Sequence, residues 1–137
     1  MSVVFEILIP RRPLSQQANR SNLRKWKDYI YGRARAVWRD TPLKMDGLQF
    51  TLVYFCGDSP ADIDNIIKPI QDALKGVVYA DDAQITDADS HRRSLAATLN
   101  MTNLPKLVIQ GFLSGEECVY VRVSPAPELN LCLLVSP

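Results

Sequence analysis

The hydrophobic period of the sequence changes abruptly in the middle of the chain. Residues 47–56 alternate apolar and polar side chains, which predicts a half-buried β-strand. A polar break at 57–60 follows, and over residues 62–74 the apolar positions recur at the spacing of an amphipathic helix that Gly76 closes. Pro69 lies inside this helix and is expected to kink its axis. A strand that leads through a short break into a helix is typical of a domain that combines both elements.

The flanking segments fit the same mixed pattern. Ser21 is the predicted cap of a basic amphipathic helix that runs to about Trp38. Residues 84–93 are expected to be extended after a tight turn, in a hairpin that faces the start of the central helix. Further strands are predicted at 3–9, 77–79 and 118–123, and a further helix has Pro105 in its first turn. We therefore predict a single α+β domain, residues 1–124, with a mixed β-sheet packed against helices, and a carboxy-terminal arm at 125–137 that could be a strand, a packing arm or a mobile tail.

Length and composition exclude several classes of protein. At 137 residues the chain has the size of one domain, and no apolar run approaches the ~20 residues that a membrane-spanning helix needs. The amino terminus lacks a basic stretch followed by an apolar run, so we expect a cytoplasmic protein without a membrane partner. The cysteines, Cys56, Cys118 and Cys132, are odd in number and include no C-x-x-C pair. This spacing indicates neither a disulfide framework nor a zinc site, and we interpret all three as small buried apolar residues.

The net charge of +1 conceals two segments of opposite sign. Residues 11–44 contain ten basic residues and two aspartates, a net charge of +8. Residues 45–90 contain nine aspartates, no glutamate and two lysines, a net charge of −7. A solvated surface explains most charge runs, but the exclusive use of Asp, a short and stiff oxygen ligand, favours a functional site. The chain therefore combines a basic face with an acidic site.

Asp62, Asp64 and Asp82 form the candidate metal centre. The first two stand where the polar break meets the helix, so both carboxylates can converge before the backbone takes up the helical period. Three adjacent carboxylates repel one another unless a cation holds them together. Oxygen ligands without His or Cys favour Mg²⁺, or Mn²⁺ in its place, and these are the usual ions for a phosphate substrate. Lys68, one helical turn beyond Asp64, faces the same way and can stabilise charge on the phosphate.

Each of these residues also has a plain structural interpretation. The first aspartate pair could simply cap the helix, the pair Asp81 and Asp82 could lie in a polar turn, and Lys68 could lie on a solvated helix face. His91, the only histidine, could assist proton transfer near the metal or merely contact solvent or phosphate. Each motif alone favours the structural interpretation, whereas the combined string favours the site.

The combined string resembles a family signature. Residues 62–68 read DIDNIIK, residues 72–74 read DAL, and residues 76–85 read GVVYADDAQI. This ordered run resembles the pattern D-x-D-N-x-x-K, D-A-L, G-aromatic and D-D-x-Q of the RusA-type Holliday-junction resolvases. The opening strand that ends in proline, the basic amino-terminal half and the closing strand are looser similarities.

The resemblance implies a homodimeric, Mg²⁺-dependent endonuclease that binds four-way junction DNA and cuts opposed strands of like polarity. It implies that Asp62, Asp64 and Asp82 bind the metal and that Lys68 is the catalytic lysine. The neighbouring motif positions supply possible supporting residues, which are Asp81, Asn65 and Gln84.

The basic segment is the expected DNA surface, because it carries the only strong positive field in the sequence. The side chains expected to contact the DNA backbone are Arg11, Arg12, Arg20, Arg24, Lys25, Lys27 and Arg35. Two other functions remain open: a nucleic-acid-binding module of the same fold without turnover, and a metal-dependent nuclease on RNA, flaps or other branched DNA. Only a cleavage assay separates these from junction resolution.

Overall fold

A four-stranded mixed β-sheet organises the chain. The computed structural model describes residues 4–136. Its elements are the strands β1 (Phe5–Ile9), β2 (Leu48–Cys56), β3 (Ile85–Ser94) and β4 (Cys118–Pro125) and the helices α1 (Arg20–Val37), α2 (Ile63–Leu74), α3 (Lys106–Leu113) and α4 (Leu129–Cys132). The strand order is β1-β4-β2-β3, with β4 antiparallel to β1 and β2 and with β3 parallel to β2. The predicted α+β domain with a mixed sheet is confirmed.

The sheet buries a different set of side chains on each face. On one face, Leu52 of β2 belongs to the same buried cluster as Ile30 of α1 and Ile70 of α2. On the other face, Phe55 of β2 clusters with Val108 of α3. Burying a side chain of this size stabilises a fold by roughly 1.5–3 kcal/mol. The alternation of β2 therefore places α1 and α2 on one side of the sheet and α3 on the other.

The segment from β2 to β3 is a crossover unit, because parallel neighbours need a connection that returns across a face of the sheet. α2 makes that return with one buried side, which includes Ile66, Ile70 and Leu74. The helix continues through Pro69 to its end at Leu74. The crossover places Asp62 before one end of α2 and the 3₁₀ turn Asp82–Gln84 beyond the other.

Several local predictions are wrong. Asn19, not Ser21, caps α1, because its side chain accepts a hydrogen bond from the amide of Asn22 at 2.9 Å. Residues 77 and 78 form a turn rather than a strand, since the amides of Val77 and Val78 both donate to the carbonyl of Leu74 at 3.0 Å, and Tyr79 makes only isolated β-bridges. Pro105 stands just before the first turn of α3 instead of inside it. The predicted start of the first strand, Val3, lies outside the described residues.

The expected hairpin at 84–93 is also wrong. This segment forms β3, which pairs with β2 in parallel, so that Leu52 stands opposite Ser90 and Tyr54 opposite Arg92. A hairpin partner is absent because residues 77 and 78 are held in the turn after α2. The parallel pairing carries the polar side chains of β3 past the start of α2.

The described part of the carboxy-terminal arm contains the short helix α4 and exposes its apolar side chains. The exposed fractions are 72% for Leu129 and 90% for Val135. Cys132 in α4 is exposed, so the interpretation of all three cysteines as buried is wrong for this one. Between residues 4 and 136, no helix has both the length and the apolar character needed to cross a membrane.

Candidate active site

The carboxylates of Asp62 and Asp64 lie at the start of α2. Asp62 precedes the first turn with an extended backbone (φ −64°, ψ 129°), and its side chain makes no cap hydrogen bond. Asp64 lies in the first turn. Both residues are exposed, and neither joins an ion pair within residues 4–136. The capping interpretation therefore fails for Asp62, and both carboxylates are available to a ligand.

Glu117 fixes the loop between β2 and α2. Its carboxylate accepts hydrogen bonds from the hydroxyl of Tyr54 at 2.6 Å, the guanidinium of Arg12 at 3.0 Å and the amide of Gly57 at 3.2 Å. Burial alone would raise the pKa of Glu117, but these hydrogen bonds to the ionised carboxylate outweigh burial and lower the pKa below its ordinary value. The Arg12 guanidinium is thus engaged in the fold, which leaves less of its charge for DNA.

Lys68 joins α2 to the turn that carries Asp82. Its ammonium lies 3.4 Å from Oδ2 of Asp82 and 3.1 Å from Oδ1 of Asp72, one helical turn further along α2. The hydrogen bond to Asp72 is the main cause of the raised pKa of Lys68, and the charge of Asp82 adds to it. Lys68 therefore remains a cation at neutral pH, as a group that stabilises phosphate charge must.

A second lysine holds the same turn. Nζ of Lys75 lies 3.7 Å from Oδ2 of Asp82 and 3.9 Å from Oδ1 of Asp81. The buried hydroxyl of Tyr79 donates to a carbonyl of α2 at 2.6 Å, and burial, followed by the charges of Asp82 and Asp72, raises the pKa of Tyr79. The ammonium groups of Lys68 and Lys75 together therefore offset the charge of Asp82.

Gln84 supports this turn from beneath. Its side chain is buried, and its Oε1 accepts hydrogen bonds from the amides of Ala80 and Asp81, both at 2.8 Å. Its Nε2 donates to the carbonyls of Leu43 at 2.7 Å and Met45 at 2.9 Å. These four bonds commit the side-chain amide to backbone groups. Gln84 therefore positions the turn instead of contacting a ligand.

Asn65 ties the start of α2 to the loop before α1. Its backbone carbonyl accepts a hydrogen bond from the amide of Gln16 at 2.8 Å, and its own amide donates to the carbonyl of Asp62 at 3.1 Å. The hydrogen bonds found for Asn65 between residues 4 and 136 are made by its backbone. They fix where the first turn of α2 begins.

The three carboxylates of the predicted metal centre do not form one cluster among the described residues. Asp62 precedes α2, whereas Asp82 contacts Lys68 and Lys75 in the middle and just past the end of that helix. At about 1.5 Å per residue, the 12 residues of α2 span roughly 18 Å. Across residues 4–136, no three His, Cys, Asp or Glu side chains lie close enough together to hold a metal ion. The oxygen donors of Asp62 and Asp64 fit a hard cation by their chemistry, and the three-ligand site stays a prediction.

The basic side chains of α1 lie beside this site. Nζ of Lys27 lies 3.6 Å from Oδ2 of Asp72, so an ion pair joins α1 to α2. The guanidinium of Arg11 stacks over the ring of Tyr29, 3.6 Å from its centroid. Four further predicted contacts are exposed and form no ion pair with another described residue: Arg20, Arg24, Lys25 and Arg35. These four are the most available cations of the predicted set.

β3 carries polar side chains to both faces of the sheet. Arg92 reaches the α2 face, where its Nη1 donates to the carbonyl of Ala61 at 3.5 Å. His91 lies on the opposite face, with Nε2 2.8 Å from Oδ2 of Asp89. The geometry therefore gives no support to a role of His91 in proton transfer beside Asp62.

Three residues of this site, Asp72, Lys75 and Arg92, were not among the predicted site residues. Asp72 and Lys75 stand four and seven residues after Lys68, which is the spacing of one and two helical turns, so the sequence does contain a signal for them. Arg92 has no such signal, because its position depends on the parallel pairing of β3 with β2.

One of two comparisons with known proteins finds a match to this chain. A search of curated proteins finds no match to the sequence. The family described as "Endodeoxyribonuclease RusA" matches residues 9–110 of the 137-residue chain. That match runs from the end of β1 into α3 and includes α2, Lys68 and Asp82. The chain therefore belongs to the RusA endodeoxyribonuclease family.

Proposed function

We propose that the protein is a Mg²⁺-dependent endonuclease that resolves four-way DNA junctions by hydrolysing one phosphodiester in each of two opposed strands. The observation that carries the proposal is the 3.4 Å approach of Lys68 to Asp82 inside a family match that includes every predicted catalytic residue. Asp62, Asp64 and Asp82 would hold the ion, for which Mn²⁺ can substitute. The ion, when bound, supplies Lewis-acid chemistry that lowers the pKa of an attacking water and offsets the charge of the phosphate.

The protein's own side chains orient the phosphate. Asp62 and Asp64 stand at the amino terminus of α2, where free backbone N–H groups favour an anionic oxygen. The exposed ammonium of Lys68 can turn from Asp82 to a phosphate oxygen by side-chain rotation. Asp72 holds the ammonium from its other side at 3.1 Å, which keeps it near that position.

The basic residues of α1 hold the DNA backbone next to this site. At about 100° per residue, the exposed cations Arg20, Arg24 and Arg35 lie on the same side of α1 as Lys27, whose ion pair with Asp72 joins α1 to α2, whereas Lys25 lies on the far side. Contacts of this kind set the position of the duplex and carry no base sequence. We therefore expect the protein to recognise the arrangement of phosphates in a junction.

Paired cuts require two active sites, so we propose that the protein acts as a homodimer whose twofold symmetry matches that of the junction. Sedimentation equilibrium of the full chain at micromolar concentration measures this. A species of twice the 15.4 kDa chain mass is expected, and a species of the chain mass alone would contradict the dimer.

A nucleic-acid-binding module without turnover is the second candidate. It is favoured by the two lysines that engage Asp82 and by the lack of an assembled three-ligand group in the described part of the chain. Such a module would show the same salt dependence of DNA binding as the nuclease. Cleavage separates the two.

The deciding experiment incubates the full chain with four-way, three-way, flap and linear DNA, each with and without Mg²⁺. The proposal predicts paired nicks in the four-way junction only when Mg²⁺ is present. Cleavage of flaps or three-way DNA at the same rate would replace junction resolution with a broader branched-DNA nuclease. Tight binding without any cleavage would establish the binding module.

A further inference from the structure

We propose that the face of the sheet opposite α2 holds a second site, which receives one unpaired nucleotide of the DNA. A pocket of about 410 Å³ opens there between the sheet, α3 and the loop that precedes α3. Its volume lies in the range of small-molecule sites, about 300–1,000 Å³. The inference rests on the proposed action on branched DNA and deepens it, because it names the feature of the DNA that this pocket recognises.

One wall of the pocket carries unused hydrogen-bond donors. Arg93 of β3 lines it, and the hydrogen bond of its guanidinium goes only to the neighbouring carbonyl of Arg92 at 3.0 Å among the described residues. Arg122 of β4 also lines it, and the buried Nε of Arg122 has no hydrogen-bond partner between residues 4 and 136. The exposed guanidinium of Arg93 can donate to an anionic oxygen such as that of a phosphate, and the charge of Arg122 adds to the positive potential of the same lining.

Asp89 is the only acidic side chain among the lining residues, and its carboxylate is already engaged. Its Oδ1 accepts hydrogen bonds from the hydroxyl of Thr51 at 2.8 Å and the side-chain amide of Gln49 at 3.0 Å. Its Oδ2 lies 2.8 Å from Nε2 of His91. The Asp89 carboxylate therefore has three hydrogen-bond partners. It orients the imidazole of His91 at the edge of the pocket. It also repels an incoming phosphate less than a free carboxylate would.

The apolar part of the lining suits a base. Phe55, Leu99 and Val108 supply apolar surface, and Asn100 and Asn103 add side-chain amides. A nucleobase has two apolar faces and a polar edge, which such a combination can accommodate. A free inorganic anion would use only the cationic side chains. The presence of cationic and apolar side chains in one pocket therefore favours a nucleotide.

The pocket and the candidate active site lie on opposite faces of one edge strand. Arg92 of β3 reaches the carbonyl beside Asp62, while His91 and Arg93 on either side of it line the pocket. Successive strand residues are only about 3.3 Å apart along the chain and point to opposite faces. Within the described sheet, β3 pairs on one side only, with β2. A DNA strand that crosses the free edge of β3 can therefore contact both faces, and a branch point supplies nucleotides that leave the stack at low cost.

The test compares binding of three probes to the full chain without Mg²⁺, so that no cleavage occurs. The probes are a blunt duplex, the same duplex with one unpaired nucleotide, and a four-way junction. Wild type should bind the bulged duplex about tenfold more tightly than the blunt one, the scale expected when one base is stacked and its phosphate contacted. Arg93→Ala removes an exposed charge, and Leu99→Trp fills the pocket without changing charge. Each should bring that ratio close to one.

The control variant is Arg35→Ala on α1, which should weaken binding of all three probes alike and preserve the ratio. Competition adds a second arm: deoxyadenosine monophosphate should displace the bulged duplex at concentrations where inorganic phosphate does not. Equal competition by inorganic phosphate would reduce the pocket to an anion site and overturn the proposal. A wild-type ratio retained by both pocket variants, or no preference in wild type, would also overturn it. This test does not measure cleavage, so a negative result leaves the nuclease proposal standing. If the protein does not cleave DNA, its preference for the bulged duplex can still be measured.

Discussion

The aspartates at the start of α2 and the aspartate in the turn after α2 belong to one sequence motif, but they lie in opposite electrostatic surroundings. Asp62 and Asp64 are exposed and form no ion pair within the described chain, whereas Asp82 lies within 3.7 Å of two ammonium groups, those of Lys68 and Lys75. Negative charge at the start of α2 is therefore left to solvent or a ligand, while negative charge at the turn is offset by the protein itself. The two regions therefore differ in what offsets their charge before any ligand binds, although both supply predicted metal ligands.

The largest effect is expected at the start of α2. Asp62→Asn and Asp64→Asn keep the size of each side chain but remove a free anionic oxygen, so junction cleavage with Mg²⁺ should fall by about 10³-fold or more. Binding without metal should hold or tighten, because each lost charge relieves repulsion of the phosphates. Single-turnover cleavage and gel-shift titration measure the two quantities. The matched control is Asp58→Asn in the preceding loop, which should behave as wild type; an equal loss there would remove the distinction between the loop and the site.

Lys68 and Lys75 differ in their expected contribution to the cleavage rate, although both contact the turn. Both contact Asp82, but only Lys68 also lies one turn from Asp64 and is held by Asp72. Lys68→Ala should lower the cleavage rate about 10²-fold, the usual scale for one charge-stabilising donor, whereas Lys75→Ala should cost less than about tenfold. Rates measured with saturating Mg²⁺ decide this. Equal losses of cleavage rate in the two variants would mean that both lysines serve only to hold the turn.

Gln84 tests whether the turn is held as tightly as its hydrogen bonds suggest. Gln84→Leu would leave two amides and two carbonyls without their partner, and we expect the free energy of unfolding to fall by about 2–4 kcal/mol. Urea unfolding measures the loss, with the exposed Gln17→Leu as the matched control. A change within about 0.5 kcal/mol, the range of ordinary surface substitutions, would show that water replaces these bonds.

The smallest effect is expected at the anchor of the loop before α2. The pKa of Glu117 is lowered in the fold, so its contribution is present above its unfolded pKa, for which the ordinary value is 4.5, and is lost as pH falls through the folded pKa. Glu117→Gln should therefore cost about 1 kcal/mol at pH 7 and much less near pH 3. Thermal unfolding across this range measures the difference. The exposed neighbour Glu116→Gln is the control, and a constant difference across the range would contradict the linkage.

The sequence was sufficient for the elements with a clear period. The alternation of residues 47–56 and the apolar spacing of residues 62–74 predict β2 and α2 within one residue of their observed ends. The pattern of α2 succeeds because this helix has one buried side and one polar side. β2 is instead buried on both faces, so the prediction of a strand is correct but the prediction that it is half-buried is wrong. The fold class follows from the same two elements.

What the sequence could not supply is the pairing of distant segments. β3 alternates buried and exposed positions only weakly, so nothing local indicated a parallel partnership with β2 instead of a hairpin. The engagement of Asp82 by Lys75 and the location of His91 on the far face both depend on that pairing and on the crossover. The motif named the residues of the candidate site but left their mutual distances open.

Asp82→Asn is the most direct test of metal-dependent cleavage at this site, because it alters the one predicted metal ligand whose charge the protein already offsets. The measurement is single-turnover cleavage of a four-way junction with Mg²⁺, beside metal-free affinity for the same junction. We predict a loss of cleavage of about 10³-fold or more, with affinity unchanged or higher since Lys68 and Lys75 are released towards the DNA. A folded variant that cuts the junction at the wild-type rate would show that Asp82 is not a catalytic ligand and would contradict the account.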